Sequence, residues 1–340
     1  MEKKFDLLSL GEVLLRLSPQ GEERLIQGKH FTKEIGGAEL NVAAGASMLG
    51  IKTGLISVLP SHAIGIYAQN QIQNIGVSTE YLIKDDSDDA RLGLYYYEKA
   101  ASPRKPSVVY DRRNSSFYKL SNLDIPEEIY KNTRCFHTSG ITLALDKKVR
   151  EKTIEMMKRF KKEGAIISFD VNFRGNLWSG EEAKECIENI LPYVDVFFCS
   201  ESTARLTFNK EGDLKQILKS FTEDYPISMV IATNRIVHSP KQHSFGSVAY
   251  DKANDTFYEE NMYENIEVVD RIGSGDAYIS GFLYGLLSDN CSIEKGVLYG
   301  DAMSAVKNTI PGDLVFTDLD EINKIIEVHS GDSEDLEMNR

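Results

Sequence analysis

The chain is poor in cysteine: four in 340 residues, at 135, 186, 199 and 291, with no Cys-x-x-Cys pair. That spacing argues against a disulfide framework or a zinc site and suits a reducing compartment. Long apolar runs are missing as well. No stretch approaches the ~20 residues that span a bilayer, and no signal-peptide pattern opens the chain, so a cytoplasmic protein without membrane contact is expected. Basic runs are absent and the formal charge is −13, which disfavours a nucleic-acid surface. An anionic ligand would then have to be held by local arginines or backbone amides against an unfavourable overall field. Three nucleotide signatures are lacking too: the P-loop, a strand followed by Gly-x-Gly-x-x-Gly, and the protein-kinase set.

What is present begins with alternation. Phe5 to Leu10 and Thr53 to Leu59 read as buried strands. Ala38–Leu49, rich in small residues, and Ile64–Ile75 read as helices ended by Gly50 and Gly76. Leu92–Glu98 and Ser107–Asp111 carry the Tyr and Val content of strands, with Pro103 and Pro106 in the loop between them. From Cys135 the order becomes regular. Strands at 135–138, 165–170, 194–199 and 228–233 alternate with helices at 147–163, 181–191 and 213–225. That pattern predicts right-handed β-α-β units, hence a doubly wound, mostly parallel sheet covered on both faces. Ligands in such sheets gather at the carboxyl ends of strands, which draws attention to Gly11, Gly140, Asn172, Arg174, Ser200 and Thr233.

The chemistry concentrates in Val268-Val269-Asp270-Arg271-Ile272-Gly273-Ser274-Gly275-Asp276-Ala277. Apolar residues at 279, 282, 283, 286 and 287 predict a helix from about Gly275, with Asp276 in its first turn. Gly273 and Gly275 let several amides converge on one anion at a helix N-terminus. A carboxylate beside a phosphate cradle supplies both a base for a hydroxyl and donors for developing charge. By itself Gly-x-Gly-Asp fits a capped glycine turn equally well.

A second motif, Gly36-Gly37-Ala38-Glu39-Leu40-Asn41-Val42-Ala43, removes that ambiguity. It resembles the N-terminal signature of the ribokinase-like (PfkB) carbohydrate kinases. The stretch 269–277 resembles their C-terminal signature, more than 200 residues on and in the expected order. The resemblance implies a ribokinase-like kinase domain over residues 1–328, with a small β-sheet lid from about 12–34 and 90–118. It leaves 329–340 as an acidic, disordered tail. It implies ATP with Mg²⁺ as cofactors, the metal held by phosphates and water without a protein cage, Asp276 as general base, and an anion hole from Gly273, Ser274 and Gly275. Within the family the chain is most similar to 2-keto-3-deoxygluconate kinases, on 11–19 (Gly-Glu-Val-Leu-Leu-Arg-Leu-Ser-Pro), 109–115 (Val-Tyr-Asp-Arg-Arg-Asn-Ser), 170–174 (Asp-Val-Asn-Phe-Arg) and Leu177-Trp178.

That narrower likeness implies sugar-acid contacts from Gly36, Gly37, Asn41, Tyr95, Tyr110, Arg112, Arg174 and Asp313, Tyr96 and Tyr97 being alternatives to Tyr95. A guanidinium suits the substrate's carboxylate. On the nucleotide side Ser200, Thr233, Asn234 and Arg235 are the candidates. Family members often carry Asn-x-x-Glu near Ser200 where this chain has Ser200-Glu201-Ser202-Thr203, so no metal ligand is assigned. Fructokinases are the nearest rival. They usually place an aspartate where Arg16 stands, and its loss weakens a neutral-sugar reading. A non-catalytic sugar-acid sensor on the same scaffold is the second alternative. Exposed lid strands need cover at their edges, so a homodimer through the lid is expected. His137 reads as a core histidine, Trp178 as a packing anchor, the tyrosine run 95–97 as mostly surface, and His238 and His243 as residues of a polar loop.

Overall fold

The computed structural model describes residues 3–122, 124–288 and 292–331. Among these residues fourteen strands form two sheets. The large one is built from β1 (Phe5–Leu10), β4 (Thr53–Pro60), β5 (Leu82–Asp85), β8 (Thr133–Ser139), β9 (Ile166–Asp170), β10 (Val196–Phe198), β11 (Met229–Ser239), β12 (Gln242–Asp251), β13 (Thr256–Glu259) and β14 (Tyr263–Glu267). The small one comprises β2 (Leu14–Pro19), β3 (Phe31–Gly36), β6 (Gly93–Glu98) and β7 (Ser107–Asp111). Its order is β3-β2-β6-β7, with only β2 and β6 parallel.

The large sheet runs β13-β12-β11-β10-β9-β8-β1-β4-β5, parallel from β11 to β5. After β1 the chain moves outward through β4 and β5, then returns to β8 and builds the other way. The direction of winding therefore switches between β1 and β8, where a crevice opens at the strands' carboxyl ends. This is the ribokinase-like α/β fold with a four-stranded lid.

Among the described residues eleven α-helices cover the sheet: α1 (Ala38–Met48), α2 (Ala63–Asn74), α3 (Glu128–Lys131), α4 (Gly140–Leu145), α5 (Lys147–Lys162), α6 (Gly180–Glu188), α7 (Glu201–Phe208), α8 (Leu214–Asp224), α9 (Ser274–Leu287), α10 (Ile293–Asn308) and α11 (Leu319–Ser330). Local sequence explains their starts. Ser179 with Glu182, and Asp213 with Gln216, form reciprocal capping boxes on α6 and α8. Asp146 accepts from the Lys148 and Val149 amides to open α5, whose Val149, Met156, Met157 and Phe160 face the sheet. Each such side chain, fully buried, contributes about 1.5–3 kcal/mol. Phe136 and Phe160 stack within that layer, and the Tyr130 ring packs tilted against Phe160. On the other face α9 and α10 bury Tyr278, Ile279, Phe282 and Val297 against β10–β12.

Two expectations need correction. The strand expected at 228–233 continues to Ser239 and turns through Pro240-Lys241 into β12, which pairs with β11, β13 and β14 antiparallel. His238 and His243 thus lie at this hairpin, in strands and not in a polar loop; His243 is buried. The tyrosine run is not mostly surface: Tyr95 and Tyr97 share one buried face, as alternation dictates, and Tyr96 points the other way. His137 is a core residue whose Nδ1 pairs with Ser168 Oγ, and Trp178 packs in the core. Of the expected tail, residues 329 and 330 still belong to α11, and everything from 332 lies outside the described residues. Cys291 also lies outside them. No described helix is long and apolar enough to cross a membrane.

Candidate active site

Two joined cavities occupy the crevice, of about 440 Å³ under the lid and about 410 Å³ beside it toward β10 and β11. Asp170, Asn172, Arg174 and Gly275 line both. A larger hollow of about 1010 Å³ lies between the 99–106 loop and the β11–β12 hairpin, sharing with this crevice, among the described residues, only Arg271. It holds neither the helix N-terminus nor the convergent carboxylates, which makes the crevice the candidate site.

The floor of the crevice is the start of α9. Gly273 caps the helix at φ 82, where a Cβ would sit 2.0 Å from the Asp313 carbonyl oxygen, so only glycine fits there. Behind it the amides of Gly275 and Asp276 have no backbone acceptor among the described residues. A Cβ on Gly275 would meet nothing within 4 Å. Bare amides facing empty space at a helix N-terminus suit a phosphate. Arg235 on β11 and Arg271 also line the cavity, and neither makes a salt bridge among the described residues. Desolvation, and then the neighbouring Arg271 charge, hold the Arg235 guanidinium below its ordinary range.

Asp276 stands one residue inside that turn. Burial lifts its carboxyl to about 6, against the bond that Asn41 donates from Nδ2 to Oδ2 at 2.7 Å. Asp170, at the end of β9, is pushed up to about 7 by burial and then by the charge of Asp276. Asp170 is not among the site residues expected from the sequence, and its place at a strand end is the signal that marks it. Asn172, two residues on, turns the chain at φ 38 so that Arg174 comes round to face the cavity. Arg174 donates only to the Phe173 carbonyl and makes no salt bridge among the described residues.

The lid supplies the roof. Tyr110 is 41% exposed, lines the cavity and lies with its ring centroid 5.8 Å from that of Tyr95. Arg112 reaches the cavity as expected, yet its Nε donates to Glu12 Oε2 at 2.8 Å and the pair is buried. Tyr95 and Asp313 come together differently from the expectation of two independent contacts. The Tyr95 hydroxyl donates to the Asp313 carboxylate, which Arg16 also holds through Nη1 at 2.8 Å. Arg16 bonds Asp270 as well and is 1% exposed; it lines neither cavity. The Asp313 and Asp270 carboxylates outweigh its burial and hold Arg16 above the ordinary guanidinium range.

Gly37 adopts φ 140 at the start of α1, where a Cβ would strike the Glu12 carbonyl oxygen at 2.3 Å. Gly36 is packed against the Asp313 carboxylate, so it shapes the wall without lining it. Glu39 of the 36–43 motif is fully buried and structural. It accepts from the Ser139 amide and hydroxyl and from Thr142 Oγ1, knitting α1 to β8 and α4. Ser200 caps α7 and, with Thr233, lines the outer cavity, whereas Asn234 lines neither. Among the described residues no group of three or more His, Cys, Asp or Glu could hold a metal ion.

Residues 4–314 match the model of the pfkB family carbohydrate kinases. The chain belongs to that family. It is 32% identical over 321 residues to a 2-dehydro-3-deoxygalactonokinase of Haloferax volcanii, covering 94% of this chain and 96% of the relative. The crystal structure of a 2-dehydro-3-deoxygluconokinase from Thermotoga maritima superposes with a TM-score of 0.89 at 32% identity, over 95% of this chain and 99% of that one. A PfkB carbohydrate kinase from Listeria grayi gives 0.88 at 32% identity, over 94% and 99%. This PfkB kinase thus places both family signatures, the Gly-Gly start of α1 and the Gly-Ser-Gly-Asp start of α9, on the two sides of one cavity.

Proposed function

We propose that this carbohydrate kinase transfers the γ-phosphoryl group of ATP to the terminal hydroxyl of 2-keto-3-deoxygluconate, giving the 6-phosphate. The observation that carries the sugar-acid reading is Arg174: an arginine facing the cavity of Asp276 with no carboxylate partner among the described residues. A planar guanidinium left unpaired there fits a substrate carboxylate through paired, charge-assisted bonds. Asn41 adds a second opening. Its Oδ1 is buried without a donor, an acceptor left for a sugar hydroxyl.

In this reading Asp276 takes the proton of the attacking hydroxyl, whose oxygen forms the new bond to phosphorus as ADP departs. Asn41 fixes the carboxylate by its bond to Oδ2 and leaves Oδ1 to face the alcohol. The amides of the 273–276 turn, with Arg235 and Arg271, take up the phosphate charge. Mg²⁺ bound with ATP would neutralise the phosphates through water and phosphate oxygens. Tyr110 and Arg112 roof the sugar and exclude water, suppressing ATP hydrolysis. Phe31 and Val109 leave apolar surface on the outer lid, which supports a homodimer formed lid to lid.

The Haloferax relative's name favours a second substrate, 2-keto-3-deoxygalactonate, which differs only in configuration at C4. Coupled ADP release with both epimers, fructose and glucose tests the reading. Turnover with the gluconate compound well above the rest is expected; preference for the C4 epimer moves the assignment to the second reading, and preference for a neutral hexose overturns both. Ligand-dependent thermal stabilisation without ADP release would point to a sensor.

A further inference from the structure

We propose that Lys307 is a built-in cation that holds the phosphate-binding turn in its working shape, a positioning residue for phosphoryl transfer. The inference rests on the kinase reading of the site. Lys307 lies near the end of α10 and is 0% exposed, which lysine seldom tolerates without a carboxylate partner. It makes no salt bridge among the described residues. Its Nζ instead donates to two backbone carbonyls, Ile310 at 3.0 Å and Asp270 at 3.2 Å.

Those two carbonyls belong to different loops. Asp270 leads into the 273–276 turn; Ile310 leads into Asp313, whose carbonyl oxygen abuts Gly273. The bond to Ile310 alone would be an ordinary helix C-terminal contact. The bond to Asp270 is not, because it reaches across 37 residues to the loop that presents the amides. The Asn308 carbonyl accepts from the Val269 and Asp270 amides, and the Gly312 amide donates to Asp270 Oδ2, so the same two loops are sewn together on either side of the ammonium. Arg16 joins their carboxylates while Lys307 joins their carbonyls.

Converging carbonyl dipoles in a water-excluded site repel one another, and a positive charge between them removes that cost. Burial pushes the Lys307 amine down to about 8, resisted by the charges of Asp270 and Asp313. An apolar side chain of equal length would fill the space but leave two buried acceptors facing each other. The loops would then separate or admit water, and the amides would lose their aim.

The test compares Lys307→Met and Lys307→Ala with the unaltered protein, reading ATP binding by calorimetry, kcat, KM for ATP and the urea midpoint. Lys307→Met is expected to fold and to lose about tenfold or more in kcat/KM for ATP, with KM for the sugar moving far less. In Lys307→Ala, ammonium ions are expected to restore activity several-fold, and tetramethylammonium at the same ionic strength is not. ATP affinity and kcat within twofold of the unaltered protein in Lys307→Met would overturn the proposal. So would a loss in Lys307→Ala that follows only the folded fraction and ignores ammonium. If the unaltered protein binds ATP but phosphorylates no sugar acid, the substrate reading fails, and calorimetry on the two variants still decides the role of Lys307.

Discussion

Asn41 Nδ2 lies 2.7 Å from Asp276 Oδ2, so the first turn of α1 and the first turn of α9 meet at the carboxylate proposed as the general base. The two residues are 235 positions apart, one in each family signature. This contact makes Asp276 the first residue to vary. Asp276→Asn keeps the shape and a partner for Asn41 but cannot accept a proton. A general base contributes about 10²–10⁴-fold, and a kcat loss in that range is expected with ATP affinity little changed. Near-normal turnover in a stopped assay would refute the assignment.

The pH profile follows from the same carboxylate. As the proposed general base Asp276 would work only when ionised, and burial has lifted it to about 6. The kcat/KM for the sugar, at saturating nucleotide, should therefore be flat above that value and fall about tenfold per unit below it. Asp170, at about 7, still holds its proton on that limb. Asp170→Asn should accordingly leave the midpoint in place. A midpoint that drops by a full unit would mean that the two carboxyls titrate as a pair, with Asp170 losing its proton first.

Arg174→Ala separates the substrate classes. A hydrogen bond to a charged group contributes about 1.5–3 kcal/mol, so KM for a sugar acid should rise about ten- to a hundredfold. KM for a neutral hexose should change little. Equal effects on both, measured by ADP release, would show that Arg174 does not meet a carboxylate.

The alternation of strands and helices, the starts of α5 and α8 and the start of α9 could be read from the sequence because they rest on local patterns. Apolar spacing, a capping aspartate and a glycine turn all act over a few residues. What escaped were pairings across the chain. Nothing near Arg112 shows that Glu12, 100 residues earlier, will take its guanidinium. Likewise, Arg16 signals neither Asp270 nor Asp313, each more than 250 residues away. The β11–β12 hairpin was missed for a local reason: its turn is Pro-Lys, without the Asn-Gly or Asp-Gly that marks a tight hairpin. Most of the residues that line the crevice were legible by type and position, whereas their division into free and engaged arginines was not.

That division makes a stability prediction for Arg16. It is buried, hydrogen-bonded to Ser18, Asp270 and Asp313, with the Glu34 carboxylate 3.5 Å from its Nε. Arg16→Met fills much of the volume but strands two carboxylates in the interior. Breaking a buried ionic network from one side costs about 3–5 kcal/mol, to be read from urea unfolding. The Arg174→Ala protein, by contrast, should unfold at the same urea concentration as the parent, because Arg174 is exposed and unpaired. Similar midpoints for both variants would contradict the distinction drawn between the two arginines.

Gly273 and Gly275 differ in the same way, and a pair of alanine variants would show it. At Gly273 a Cβ faces both a left-handed φ of 82 and the Asp313 carbonyl at 2.0 Å, so Gly273→Ala must move backbone. Strain of that kind costs on the order of 1–3 kcal/mol and should lower stability before any ligand is added. Gly275→Ala meets no protein atom within 4 Å and lies in a helix, where alanine is favoured. It should leave stability equal or slightly higher. Its methyl group would instead project into the space beside the free amides, so KM for ATP should rise while KM for the sugar stays near the parent value. An unchanged KM for ATP in Gly275→Ala would place the nucleotide's phosphates somewhere other than the α9 terminus.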